Sequence, residues 1–295
     1  MRGPTMKITV ALAQTQPATL DKRANLQVFD HALERAAKMG AQLVVFPELA
    51  LTGYACGDAF FDVAEDVPGP STAHICETAR KFGLHVIWGM PERGLPGVLY
   101  NSAVLAGPDG HIGTWRKHML PGHATDQGGA GAFPDRRFFR GGDRSPVFDT
   151  PIGRIGMLVC YDIFFPEIAR LLTLKGADLL VGISGSPTFE RPIFEPLVLA
   201  RAMENTIPFA YCNLAGAEGE ISYWGGSRLI GAGDPETKTP GSPIVCQAVY
   251  DVEDLVCGEI DYSLTHRFRP LFPVLRDLRA GMYAQLEAAV EDNLD

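Results

Sequence analysis

Long apolar runs are missing from this 295-residue chain: no stretch approaches the roughly 20 residues that a membrane-spanning helix needs. Basic blocks are missing too. Twenty-six lysines and arginines stand against 35 acidic residues, a net charge of −9, with no clustered basic face to meet nucleic acid or an anionic membrane. An acidic balance of this size chiefly serves solubility. Neither nucleic acid nor membrane is therefore expected as a partner. The six cysteines (Cys56, Cys76, Cys160, Cys212, Cys246 and Cys257) are far apart and form no C-x-x-C pair. They read as reduced thiols of a cytoplasmic protein, the disulfide alternative needing an oxidising compartment that nothing here supports.

Several chemical templates are also absent. There is no G-x-x-x-x-G-K-[ST], no H-E-x-x-H and no G-x-G-x-x-G, and Gly182-Ile183-Ser184-Gly185-Ser186 lacks the final glycine of a nucleophile elbow. The seven histidines (His31, His74, His85, His111, His118, His123 and His266) show no ligand spacing, so no metal site is expected. Residues Met1–Lys7 run into the strand-like Ile8–Ala13 without the apolar core or cleavage site of a signal peptide, and Met6 could equally be the natural start.

What is present is an ordinary globular composition, 46% apolar and 21% charged, long enough for one large domain or two modest ones. Short β-rich runs alternate with helical periods. Strands are expected at Lys7–Gln14, Leu43–Phe46, His85–Gly89, Asn101–Ala106 and His111–Lys117, the last two joined as a hairpin through Gly107-Pro108-Asp109-Gly110. Further strands are expected at Ile155–Cys160, Asp178–Ile183, Phe209–Asn213, Gly226–Ile230, Ile244–Val249 and Val256–Asp261. Helices fit Lys22–Met39, Ala73–Phe82 with Ser71 or Thr72 as N-cap, Glu167–Lys175 and Ile193–Asn205. A last helix fits Val274–Leu294, with Leu275, Leu278, Met282, Leu286 and Val290 on one stripe. Residues Pro121–Asp149, rich in glycine, proline and charge, read as a long loop of the kind that carries function. Without repeats, low-complexity tracts or an evident linker, the reading is a single α/β domain over 6–270 and a helical tail over 271–295.

Three segments share one property, a reactive side chain where a strand runs out: Val44-Val45-Phe46-Pro47-Glu48, Trp115-Arg116-Lys117-His118 and Leu158-Val159-Cys160-Tyr161. In α/β folds such positions expose side chains beside unpaired backbone N–H groups. A carboxylate, an ammonium and a thiol are the parts needed to attack a carbon bonded to nitrogen: the carboxylate takes the thiol proton and the ammonium holds the developing oxyanion. Taken singly, Glu48 could cap a helix, Lys117 could be a solvated lysine and Cys160 a core cysteine.

Three blocks, Phe46-Pro47-Glu48-Leu49-Ala50-Leu51-Thr52-Gly53-Tyr54, Arg116-Lys117-His118-Met119-Leu120-Pro121-Gly122 and Cys160-Tyr161-Asp162-Ile163-Phe164-Phe165-Pro166-Glu167, stand in an order and spacing that resembles the nitrilase superfamily of carbon–nitrogen hydrolases. Weaker similarity, including Tyr100–Leu105 and Ala200–Asn205, extends from about Ile8 to Asp261. The resemblance implies a four-layer α-β-β-α sandwich of two mixed sheets flanked by helices, and a Glu48–Lys117–Cys160 triad needing no cofactor. It implies a fourth acidic residue after the lysine, for which Asp135 in Asp135-Arg136-Arg137-Phe138-Phe139 stands one methylene shorter than the usual glutamate. It also implies a homodimer or higher homo-oligomer, formed through the helix near Glu167–Lys175 and the C-terminal segment.

For the substrate, two echoes disagree. Tyr211–Glu220 with Tyr223–Ser227 is similar to the glutaminase domain of glutamine-dependent NAD synthetases, whereas Leu120-Pro121-Gly122-His123 is similar to N-carbamoyl amino acid hydrolases. The expected substrate is a small linear amide, with carbamoyl compounds or nitriles as alternatives and an inactive scaffold as the non-enzymatic one. The expected substrate-binding residues are Tyr54, Tyr161, Phe164, Phe165 and Ser186. Phe164, Phe165, Phe189, Tyr223 and Trp224 could line an aromatic pocket or belong to the core.

Overall fold

The computed structural model describes residues 7–122 and 135–294. His123 lies outside the described residues. Strands β1 (Lys7–Gln14), β2 (Leu43–Val45), β3 (His85–Arg93), β4 (Leu99–Gly107) and β5 (Gly110–Arg116) precede β6 (Val147–Thr150), β7 (Gly153–Val159), β8 (Leu179–Ser184) and β9 (Phe209–Asn213). The short β10 (Ala215–Glu218) and β11 (Ile221–Trp224) pair as a hairpin, as do β13 (Gly233–Asp234) and β14 (Thr239–Pro240); β12 (Arg228–Ile230), β15 (Ile244–Gln247) and β16 (Asp254–Asp261) complete the strands. The helices are α1 (Lys22–Lys38), α2 (Phe60–Val63), α3 (Pro70–Phe82), α4 (Asp135–Phe138), α5 (Pro166–Leu174), α6 (Arg191–Asn205), α7 (Tyr262–Phe268) and α8 (Ala280–Leu294).

Two six-stranded sheets result, ordered β16-β1-β2-β3-β4-β5 and β15-β12-β9-β8-β7-β6. Each repeats one plan. Three central strands run parallel (β1, β2, β3 and β7, β8, β9) and the outer ones antiparallel, so each half of the chain contributes its own β-α-β crossovers. Alternate side chains of β1 show how the layers stack. Val10 and Leu12 join Ile87, Leu105, Met157 and Val181 between the sheets, while Ala11 and Ala13 face Phe29 and Leu33 of α1 and Ile75 and Ala79 of α3. On the far side α5 and α6 cover the second sheet, giving the expected α-β-β-α order. Central strands buried on both faces explain why their sequences read as continuous apolar runs.

Some boundaries differ from expectation. The N-cap of α3 is Gly69 rather than Ser71 or Thr72, because Pro70 supplies the preset φ and missing N–H that suit the first helical position. Ser71 instead gives its N–H and hydroxyl to Glu65, each at 2.8 Å. The tail helix begins at Ala280 rather than Val274, since Pro273 opens a turn to whose carbonyl Arg276 and Asp277 donate. β7 ends at Val159, and Cys160 opens a 3₁₀ turn running to Phe164.

Candidate active site

Glu48, Lys117 and Cys160 lie at the ends of β2, β5 and β7, and the two sheets bring those ends together. The local sequences make this possible. After β2, Phe46 is fixed by stacking on Phe29 at 3.9 Å, and the chain turns at Pro47-Glu48-Leu49 with Leu49 at a φ of 49°. β3 passes so close that a Cβ on Gly89 would lie 2.3 Å from the Leu49 nitrogen and 2.6 Å from the Glu48 Cα. Only glycine fits there. Lys117 extends the β4–β5 ladder by one residue, its N–H donating to Asn101 O at 2.8 Å. Cys160 takes a φ of 47°, a left-handed conformation that a non-glycine residue adopts only when its surroundings impose it.

Lys117 Nζ is wholly buried and donates to Glu48 Oε1 at 2.8 Å and to Asp135 Oδ1 at 2.7 Å. Both carboxylates are buried as completely as the lysine. Asn101 Nδ2 bridges them, donating to Glu48 Oε1 at 2.7 Å and Asp135 Oδ1 at 3.2 Å. Gly185 N–H holds Glu48 Oε2 at 2.7 Å, and the Tyr54 hydroxyl donates to Asp135 Oδ2. The cluster is thus one ammonium between two carboxylates, held by an amide, a phenol and a backbone donor. Asp135, uncertain in the sequence because it falls in a loop and is one methylene short, stands within this ion cluster; the single turn of α4 delivers it.

A third carboxylate joins two of the strand ends. Asp162 accepts from Val159 N–H at 3.0 Å, Trp115 Nε1–H at 2.9 Å, and the N–H groups of His118 at 3.1 Å and Met119 at 2.9 Å. The lysine segment and the cysteine segment are therefore bound to the same side chain. His118 stacks on Trp115 at 4.3 Å and contacts Arg116 O and Ser145 Oγ, a loop-fixing role.

Burial and neighbouring charge set the proton positions. Burial, then the Glu48 carboxylate, push the Cys160 thiol well above its usual range, with Lys117 pulling the other way. Burial also raises Glu48, opposed by Lys117. Burial alone would drive Lys117 toward the neutral amine, but the carboxylates of Asp135 and Glu48 outweigh it and hold the ammonium well above its ordinary value. These directions favour a protonated Cys160 thiol and a charged Lys117 ammonium beside Glu48.

The expected substrate-binding residues separate into groups. Tyr54 is buried on Asp135. The half-buried Tyr161 contacts Phe164 and Phe165 with ring centres at 5.1 and 5.2 Å. Ser186 is buried, accepting from Trp224 Nε1–H at 3.0 Å and donating to Glu190 Oε2 at 3.1 Å. Tyr223 and Trp224 are core residues, whereas Phe189 is 56% exposed. Sequence reasoning gave no role to Asn101, Asp162, Gly185 or Glu190. The only local signal for Asn101 was the polar pair Asn101-Ser102 inside the largely apolar Val98–Ala106 region.

Reactive groups gathered where parallel strands end are the plan of an α/β enzyme. A family model described as carbon-nitrogen hydrolase matches residues 9–267, and the chain belongs to that family, within the nitrilase superfamily. It is 31% identical over 283 residues to a nitrilase of Pyrococcus abyssi, covering 94% of this chain and 99% of that protein. To an omega-amidase of Xenopus tropicalis it is 30% identical over 269 residues, covering 89% and 92%. Among solved structures, a carbon–nitrogen hydrolase from Helicobacter pylori G27 superposes with a TM-score of 0.84 at 26% identity, covering 95% of this chain and 98% of that one. A mutant amidase from Nesterenkonia sp. AN1, showing Michael addition of acrylamide at its active site cysteine, gives 0.78 at 26% identity with 95% and 99% coverage. At this coarse level the chain is a carbon–nitrogen hydrolase.

Proposed function

We propose that the protein hydrolyses small linear amides to a carboxylate and ammonia, with Cys160 as nucleophile, Glu48 as general base and acid, and Lys117 as oxyanion donor. One observation carries this reading: a fully buried ammonium between two buried carboxylates, its field reaching a strand-end thiol. Burying ions costs several kcal/mol each, and apolar residues of similar volume would serve a mere scaffold as well or better. Retaining the charges makes sense if they act on a substrate.

Glu48 removes the Cys160 proton as the sulfur adds to the amide carbon. Lys117 and the backbone N–H of Tyr161 hold the resulting oxyanion, and such a donor is worth roughly 100- to 1,000-fold in rate. The tetrahedral adduct collapses with loss of the nitrogen, to which Glu48 returns the proton, leaving a thioester and ammonia. Water, deprotonated by Glu48, then adds to the thioester; the carboxylic acid departs and the thiol regains its proton. Asp135 and Asn101 position Lys117 and Glu48 throughout. The relatives named omega-amidase and amidase support amides, whereas the relative named nitrilase keeps nitriles among the substrates to be tested.

Ammonia release from a panel of aliphatic amides, N-carbamoyl amino acids and nitriles tests the reading. Turnover of amides with a thioester-mass adduct on Cys160 is expected. Turnover of carbamoyl compounds or nitriles alone would replace the substrate class, and no turnover with no selective labelling of Cys160 would remove the enzyme claim.

A further inference from the structure

Beside Cys160, on the side of the second sheet facing α5 and α6, lies a polar group of side chains that the chemistry above does not use. Glu190 sits half-buried at the start of α6, and the only hydrogen bond of its carboxylate among the described residues comes from Ser186 Oγ, at 3.1 Å. No lysine or arginine among the described residues forms an ion pair with it. Lys117 is committed to Glu48 and Asp135, while Arg228 and Arg191 both pair with Glu195, at 2.9 and 3.5 Å. Two fully buried hydroxyls, Ser184 Oγ and Tyr211 OH, neighbour each other and Cys160, and neither has a close hydrogen-bond partner among the described residues. Glu190 acts electrostatically on both the Cys160 thiol and the Tyr211 hydroxyl, so carboxylate, hydroxyls and nucleophile belong to one neighbourhood. Buried hydroxyls are as a rule satisfied by a partner, so these two are available to a polar ligand group.

We propose that Glu190, with the Ser184, Ser186 and Tyr211 hydroxyls, forms the subsite for the far end of the acyl chain, and that it selects amides ending in a protonated amine over amides ending in a carboxylate. An ammonium brings three donors and a positive charge, which the carboxylate and the hydroxyl oxygens would accept. A terminal carboxylate would meet Glu190 with no free lysine or arginine among the described residues to offset the repulsion. A methyl-ended amide would leave the hydroxyls unsatisfied. The inference rests on the amidase reading and narrows its substrate class.

Its pH dependence follows. Burial raises Glu190 to about 7, with Ser186 and Lys117 opposing and Glu48 adding to the rise, so its charge is lost as pH falls through neutrality. The amine of the substrate stays protonated over that range. The preference for ammonium-ended amides should therefore strengthen as pH rises from 6 to 8.

The test compares 3-aminopropanamide through 6-aminohexanamide with their methyl-ended isosteres and carboxylate-ended counterparts, reading ratios of kcat/KM within each protein so that any general loss cancels. In the wild type at pH 8 the best ammonium-ended amide should exceed its methyl-ended isostere by about tenfold or more, and the carboxylate-ended one should be the poorest. In Glu190→Gln the ratio should fall to within about threefold and lose its rise with pH. Calorimetric binding of the same amides to Cys160→Ala should give the same order without turnover. Preference for methyl- or carboxylate-ended amides, or ratios unchanged in Glu190→Gln, would overturn the subsite while leaving amide hydrolysis standing. Turnover of no amide, with no ranking in the binding series, would remove both.

Discussion

Cys160 carries a backbone cost, of order 1 kcal/mol or more, that its neighbours absorb. Asp162 fixes the preceding N–H, and Ile163 packs the following turn into the core. Cys160→Ala keeps that packing and the same φ demand, so it should lose turnover by at least about 10,000-fold while its melting temperature stays within a few degrees. Unfolding of this variant would instead mark the cysteine as a core residue. The protons give a second expectation. Glu48 must be ionised to accept the thiol proton, and burial raises its pKa against the pull of Lys117. For a neutral amide, kcat/KM should therefore fall with acidification through a value above the ordinary glutamate value of about 4.3. Asp135 and Glu48 keep Lys117 charged, so no alkaline fall from its deprotonation is expected below about 10. An acid limb at or below 4 would remove Glu48 as the base. At this scale the sequence was legible where a reactive side chain follows a strand, as at Glu48, Lys117 and Cys160. Asn101 was not legible, because its partners Glu48 and Asp135 are met only through the packing of separate strands and loops.

The elements that hold the site come from different sheets, β5 from the first and β7 from the second. Their ends are joined by Asp162, whose two oxygens collect four N–H donors from the two segments. A carboxylate offers only acceptors, which is what four converging donors require. Asp162→Asn replaces one oxygen by an NH₂ group that faces those donors, leaving at least one of them unpaired. The cost expected from lost hydrogen bonds to a charged group is about 1.5–3 kcal/mol. Chemical denaturation should show that loss. Turnover should fall more than 10-fold with kcat affected more than KM, because the relative position of Lys117 and Cys160 changes. A variant as stable and as active as the wild type would show that the clamp is unnecessary. The strands and crossovers themselves were readable from apolar runs and helical periods, since burial on both faces leaves that imprint. The start of α3 was not, because Pro70 and Glu65 do what a side-chain cap at Ser71 or Thr72 was expected to do.

Over the whole molecule, apolar surface remains where the sequence placed an association face. On α8, Met282, Leu286 and Val290 recur at helical spacing and are 63%, 43% and 44% exposed, and on α5, Leu171 and Leu174 are also exposed. Exposed apolar side chains scattered singly mean little, but a stripe along one helix calls for a partner surface. A second copy of the chain fits, since two-fold pairing buries the same helices from both sides. Light scattering should therefore give a mass of roughly twice the 32.0 kDa chain, or a larger multiple. Leu286→Glu combined with Val290→Glu should shift the population toward monomer in a concentration-dependent way. The melting temperature, extrapolated to low protein concentration, should match that of the wild type. If α8 instead packs against its own chain in solution, the same pair of substitutions would lower the melting temperature at every concentration and leave the mass unchanged. A wild-type monomer would leave the stripe on α8 without the partner proposed for it.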